Sequence, residues 1–219
     1  MDEDAAATAL SGRDGTPAKQ RRTGGRSARV RVRVLEAAGA LLLEAGYDAL
    51  TVDAVAERAG VHRTTVYRRW GDVGRLLADL LDAAADDGWD PPDTGSLEGD
   101  LTALNEEVHT ALAAGGPTLT TALIAAGFRS PAAAAALSRF WEDRYARCAV
   151  TVSRAVARGE LAAPVDARAL LVTATAPLYH ELLLLRTGPD PGLPARAAAA
   201  AAAAARAGAF GGAARAAHP

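Results

Sequence analysis

Three residues at fixed distances constrain this chain more than any other feature. Ala56 stands four positions before Gly60, and Val66 stands six after it. Alanine lets two helices approach closely, glycine allows a turn that other residues resist, and a β-branched valine packs the second helix onto the first. Thr51 can cap a short helix over Val52–Ala59, with Asp53 in its first turn, where the helix dipole favours an acid. A second helix is predicted from about His62 to Trp70, with Val66 and Trp70 on its core face. Two short helices hinged at a glycine read as a helix-turn-helix.

The remaining surface of the second helix presents Arg63, Thr64, Thr65, Tyr67, Arg68 and Arg69. These side chains read base edges and hold phosphates: arginine meets guanine, a threonine methyl meets thymine, and tyrosine and arginine reach phosphate oxygens. A net charge of only −2 seems unsuited to nucleic acid until its distribution is followed. From Lys19 to Arg75 twelve Lys and Arg face six Asp and Glu, whereas from Leu76 to Leu185 seven Arg face fifteen acids. The first segment can approach phosphates and the second is repelled by them. The basic run from Lys19 to Arg33 includes Arg21, Arg22 and Arg26 and contains no acid.

The rest of the chain reads as helices. Alanine and leucine dominate and aromatics make up only 5% of residues, so the fold class expected is all-α, with a three-helix head followed by a helical body. A helix carrying Val30, Val34, Leu41 and Leu42 stops at Gly46, and another begins near Asp72. The loop from Trp89 to Gly95 precedes a helix capped by Ser96, then a short one over Thr118–Ala126. Ser130-Pro131 opens a long helix that ends at Gly159, and Asp166 caps one that Pro177 should kink. An alanine-rich helix spans about Pro194–Ala207. The expected organisation is a disordered basic arm over 1–26, a DNA-binding domain over 27–72, a helical regulatory domain over 73–208 and a flexible tail over 209–219.

Catalytic chemistry finds little support. The four histidines pair with no other histidine or cysteine at metal spacing, and no nucleophile elbow or phosphate-binding glycine loop is present. Neither enzyme activity, metal nor cofactor is expected. One cysteine rules out an intramolecular disulfide, and the absence of a secretory signal or spanning segment gives an expectation of a cytoplasmic protein without membrane contact. A cavity for a small apolar or aromatic ligand is expected around His109, Phe140, Trp141, Tyr145, Cys148 and Tyr179, the scarce large or polar-tipped side chains. A helical adaptor that binds a protein is the alternative function, though it leaves the arginine-rich face unexplained; a regulator without a ligand is the other.

The run Thr51-Val52-Asp53-Ala54-Val55-Ala56-Glu57-Arg58-Ala59-Gly60-Val61-His62-Arg63-Thr64-Thr65-Val66-Tyr67-Arg68-Arg69-Trp70, with Ala45-Gly46-Tyr47 before it, closely resembles the DNA-binding signature of tetracycline-repressor (TetR) family regulators. The close resemblance covers about residues 30–80. It implies a homodimeric repressor, released from a palindromic double-stranded operator when a small-molecule effector binds the C-terminal domain. Base contacts would come from Arg63, Thr64 and Thr65, phosphate contacts from Tyr67 and Arg69, and either kind from Arg68. Thr51 would meet the DNA backbone. Whether Arg21, Arg22 and Arg26 enter the minor groove stays open. Where the family often has a lysine at the start of the fourth helix this chain has Val73, so that phosphate contact is absent or falls to Arg75 or to backbone amides. The resemblance also places the dimer interface on the last two helices, which here would bring in Leu171, Leu178, Leu182 and Leu185.

Overall fold

A computed structural model describes residues 23–85, 88–113 and 118–211. Nine α-helices occupy these residues: α1 (Thr23–Ala45), α2 (Val52–Arg58), α3 (Arg63–Trp70), α4 (Val73–Ala85), α5 (Leu97–Ala113), α6 (Leu119–Gly127), α7 (Pro131–Ala157), α8 (Ala167–Leu178) and α9 (Leu193–Arg206). No strand occurs among them, and the one extended pairing is an isolated bridge between Val165 and Gly211. The fold is all-α.

Local chemistry explains most of the boundaries. Thr51 accepts from the Ala54 amide, Ser130 from Ala133 and Asp166 from Ala169, so three helices begin at the side-chain caps that their sequences offer. Pro131 fills the first position of α7, where no amide hydrogen is needed. Two boundaries differ from expectation. Helix α1 begins at Thr23, so Arg26 lies on helical backbone rather than in a disordered arm. Pro177, expected to kink its helix, stands one residue before a change of helix type. It contributes no amide hydrogen, and α8 ends at Leu178 and continues as a π-helical turn over Tyr179–Leu185.

Two buried clusters hold the chain together. The first joins Val34, Ala38 and Leu42 of α1, Val55 of α2, Val66 and Trp70 of α3 and Leu76, Leu77 and Leu81 of α4 to Leu123 of α6 and Ala133 of α7. The head therefore shares its core with α4, α6 and the start of α7, and apolar packing runs across residue 72. Gly74 shows how closely α4 meets α7: a Cβ there would stand 2.6 Å from Ser130 Oγ and 2.9 Å from Ala132 Cβ. The second cluster packs α5, the later part of α7, α8 and α9 around Leu97, Leu101, Val152, Leu170 and the alanines of α9.

This second core corrects part of the expected dimer interface. Leu171 and Leu178 are completely buried within their own chain, because the stripe they share with Ala174 is the one α8 turns toward the body's interior. A partner molecule cannot reach them. Leu182 is half-buried and Leu185 exposed, while Thr173, Ala176, His180 and Leu184 form the outward side of α8 and its π-helical extension. No helix among the described residues is long and apolar enough to cross a membrane.

Candidate functional site

The turn between α2 and α3 is built as the glycine spacing requires. Gly60 takes φ 61°, a left-handed conformation that side-chain-bearing residues resist. His62 then caps α3: its Nδ1 accepts from the Thr64 amide at 3.4 Å and lies 2.9 Å from the Thr64 hydroxyl. Val66 and Trp70 are buried on the core face. At the far end, Trp70 Nε1 donates to Asp79 Oδ2 at 2.8 Å, and Arg31 of α1 reaches the same carboxylate through Nε at 3.1 Å and Nη2 at 2.6 Å. Burial pushes the Asp79 carboxyl up, but the hydrogen bonds from Arg31 and Trp70 outweigh it and hold it below the usual carboxylate range. One acid thus fixes α1, α3 and α4 relative to one another.

With that frame set, α3 exposes Arg63, Thr64, Tyr67, Arg68 and Arg69, with Thr65 half-buried beside them. Arg69 has a structural tie that spacing could not show. Its Nη1 donates to Ser27 Oγ at 3.1 Å, and its guanidinium lies 5.1 Å from the centre of the Trp70 ring. Between α1 and α3 runs an open groove of about 1190 Å³ lined by Arg29, Arg33, Arg68 and Arg69, with no carboxylate lining it among the described residues. Arg33 donates to the Gly60 carbonyl at 3.1 Å across this groove. Arg29 and Arg33 belong to the basic run read from the sequence but were not singled out there as DNA contacts; their four-residue spacing on a helix was the available signal.

Other assignments fare unequally. Arg21 and Arg22 lie outside the described residues. Thr51 is exposed, and its Oγ accepts from the Ala54 amide while the hydroxyl hydrogen stays available to donate. At the start of α4, Asp72 Oδ1 accepts from the Arg75 amide at 2.9 Å, so a carboxylate already occupies the place where a phosphate would meet that helix end. Arg75 remains an exposed side chain, 3.7 Å from Asp72.

A cavity of about 250 Å³ lies in the body, walled by Trp89, Phe140, Trp141 and Tyr179, with Glu107, Arg144 and Thr120 supplying polar groups. Trp141 meets Phe140 and Tyr179 edge-on, at 5.3 and 5.5 Å between ring centres, and Tyr145 lies behind it at 6.2 Å. Trp89 comes from the linker before α5; its Nε1 donates to Glu107 at 2.7 Å, and Arg144 lies over its ring at 4.4 Å. Burial pushes the Tyr179 hydroxyl well above its ordinary range. Three of the six expected cavity residues therefore line it: Phe140, Trp141 and Tyr179. Cys148 does not, because it is buried in the second core, where burial pushes its thiol up to about 11. His109 does not line it either; its Nε2 is buried without a hydrogen-bond partner.

Comparison with known proteins places this geometry. Residues 34–80 match a family model described as bacterial regulatory proteins, tetR family, and residues 91–215 match one described as tetracyclin repressor-like, C-terminal domain. The HTH-type transcriptional regulator YdeS of Bacillus subtilis is 31% identical over 152 residues, covering 69% of this chain and 77% of that protein. The HTH-type transcriptional regulator AqdR of Rhodococcus erythropolis is 34% identical over 152 residues, covering 68% and 72%. A crystal structure of a TetR transcriptional regulator from Agrobacterium tumefaciens superimposes with a TM-score of 0.61 at 23% identity, over 84% of this chain and 95% of that one, which shows the shared fold.

Proposed function

The chain belongs to the tetracycline-repressor family of helix-turn-helix transcriptional regulators, and on that premise we propose that it is a cytoplasmic homodimeric repressor, released from a palindromic operator by a small apolar or aromatic effector. Its family comprises regulators of transcription rather than enzymes.

The observation that carries the reading is the surface of exposed Arg63, Thr64, Tyr67 and Arg68 with half-buried Thr65, held on a helix whose far end is tied to Asp79. Arg63, Thr64 and Thr65 take base edges, while Tyr67 and Arg68 take phosphates together with Arg29, Arg33 and Arg69 of the groove beside α3. Residues 27–72 act as the DNA-binding unit and 73–208 as the regulatory unit. Two copies associate through the outward side of α8 and the π-helical turn, where Thr173, Ala176, His180, Leu184 and Leu185 are exposed. That arrangement spaces two α3 helices for successive major grooves.

The aromatic cavity supplies the release step. Its walls come from the linker before α5, from α5, α6 and α7 and from the π-helical turn, and α6 and α7 also pack in the core that contains α4. An effector that fits only a shifted arrangement of these helices displaces α4, and with it the Asp79 anchor of the recognition helix. Selection of bound sequences from a random duplex pool tests the proposal. A palindrome with half-sites about one helical turn apart, roughly 34–36 Å, is the expected result. No enrichment at either low or high salt overturns it.

A further inference from the structure

A second cleft, of about 820 Å³, opens between the C-terminal end of α1 and the body, and the repressor reading makes no use of it. Leu42 and Leu43 of α1 form one wall. Leu112 of α5, Ala122 of α6 and Leu182 and Leu183 of the π-helical turn form the other. The volume falls within the range of ordinary small-molecule sites, roughly 300–1,000 Å³, and the lining is predominantly apolar.

Its one charged lining residue among the described residues is Arg186. Among the described residues Arg186 is also the one non-glycine with a left-handed backbone, φ 55°, where the π-helical turn ends and its amide donates to the Glu181 carbonyl. Its side chain is exposed and lines the cleft. Among the described residues no carboxylate lines the cleft and no ion pair involves Arg186. An apolar trough with a single cation at its edge is complementary to a molecule that is apolar along its length and anionic at one end.

We propose that this cleft is a binding site for an amphipathic anion: an extended apolar chain that ends in a carboxylate. The chain lies along Leu42, Leu43, Leu182 and Leu183, and the carboxylate meets the planar guanidinium of Arg186, a geometry that favours two parallel hydrogen bonds. The site is distinct from the aromatic cavity. Leu112 lines both, but Thr120 of α6 faces the aromatic cavity and its neighbour Thr121 faces the cleft. Because α1 belongs to the head and the opposite wall to the body, an occupant is bound by both and biases their relative position.

Calorimetric titration of the full-length protein with laurate, below its micellar concentration, tests the proposal, with dodecanol as the uncharged probe. Laurate is expected to bind the wild type, and Arg186→Gln to weaken that binding about tenfold. Ala125→Trp, an exposed position that lines the cleft, should block it. Dodecanol should bind more weakly than laurate and be indifferent to Arg186→Gln, while Trp141→Ala in the aromatic cavity should leave laurate affinity unchanged. Failure of laurate to bind, equal binding by Arg186→Gln, or loss through Trp141→Ala instead of Ala125→Trp overturns the site. DNA selection without laurate tests the repressor reading separately, so neither failure can pass for the other.

Discussion

The indole of Trp70 donates to Asp79 at 2.8 Å, joining the last residue of the DNA-reading helix to a carboxylate in the middle of α4. Arg31 holds the same carboxylate from α1. Asp79→Ala strips both donors of their acceptor in a partly buried setting, at a cost of about 1–3 kcal/mol in urea unfolding. The pH dependence follows from the lowered pKa of Asp79. The folded group titrates below the unfolded one, so its contribution is full above an unfolded pKa of about 4 and is lost as pH falls through the lowered folded value. The wild type and Asp79→Ala should differ most at neutral pH and converge in the acid limb. A constant difference down to strongly acidic pH contradicts the assignment.

Base readout and phosphate contact are separable by mutation. Arg63→Ala should lose roughly 1–3 kcal/mol on the preferred operator and relax base preference at one position per half-site. Arg33→Ala should weaken binding to all sequences alike and lower the slope of log affinity against log salt by about one. Arg69→Ala should resemble Arg33→Ala on DNA but also reduce stability, because Ser27 and the Trp70 ring lose a partner. Fluorescence anisotropy on operator and scrambled duplexes across a salt series distinguishes these outcomes. Equal loss of specificity from Arg63→Ala and Arg33→Ala would rule out the division of roles.

Legibility from sequence followed the range of the interaction. Caps act over three residues, so Thr51, Ser130 and Asp166 could be read directly. The glycine turn was likewise local. Arg31–Asp79 spans 48 residues and no periodicity marks it. The α8 stripe was visible as apolar, but spacing alone does not say whether an apolar face meets its own chain or a second copy, and Leu171 and Leu178 turned out to meet their own. The aromatic cavity was half legible: aromatics on α7 pointed to it, while Cys148 shares that helix but turns into the core.

His62 was read only as the start of α3, and the structure gives it the capping role. His62→Ala removes the acceptor for the Thr64 amide and should cost about 1 kcal/mol. His62→Asn, a good capping residue, should restore most of it. Thermal unfolding of the three proteins measures this directly. An alanine variant as stable as the wild type shows that the imidazole contributes nothing as a cap.

Cys148 should behave as an inert thiol. It is 1% exposed and burial raises its pKa to about 11, so at neutral pH little thiolate is present and little of it is accessible. Iodoacetamide should modify it far more slowly in the native protein than in urea, as followed by mass spectrometry. Native labelling at the denatured rate would place Cys148 on an exposed face and undo the packing of α7 described above.

The outward side of α8 makes the sharpest claim about assembly. Ala176 is exposed and sits between Thr173 and His180 on that side, whereas Leu171 is completely buried on the opposite one. Ala176→Arg adds a charge that the single chain tolerates in water but that a twofold interface would bury twice, unpaired and close to its own copy. The variant should keep its helical circular dichroism, sediment as a monomer and lose affinity for a full palindrome while retaining weak binding to a half-site. Leu171→Arg places the same charge in the second core and should reduce helicity and stability instead, by several kcal/mol. A dimeric Ala176→Arg protein with unchanged operator affinity moves the interface off α8. The contrast between the two arginines separates loss of assembly from loss of fold.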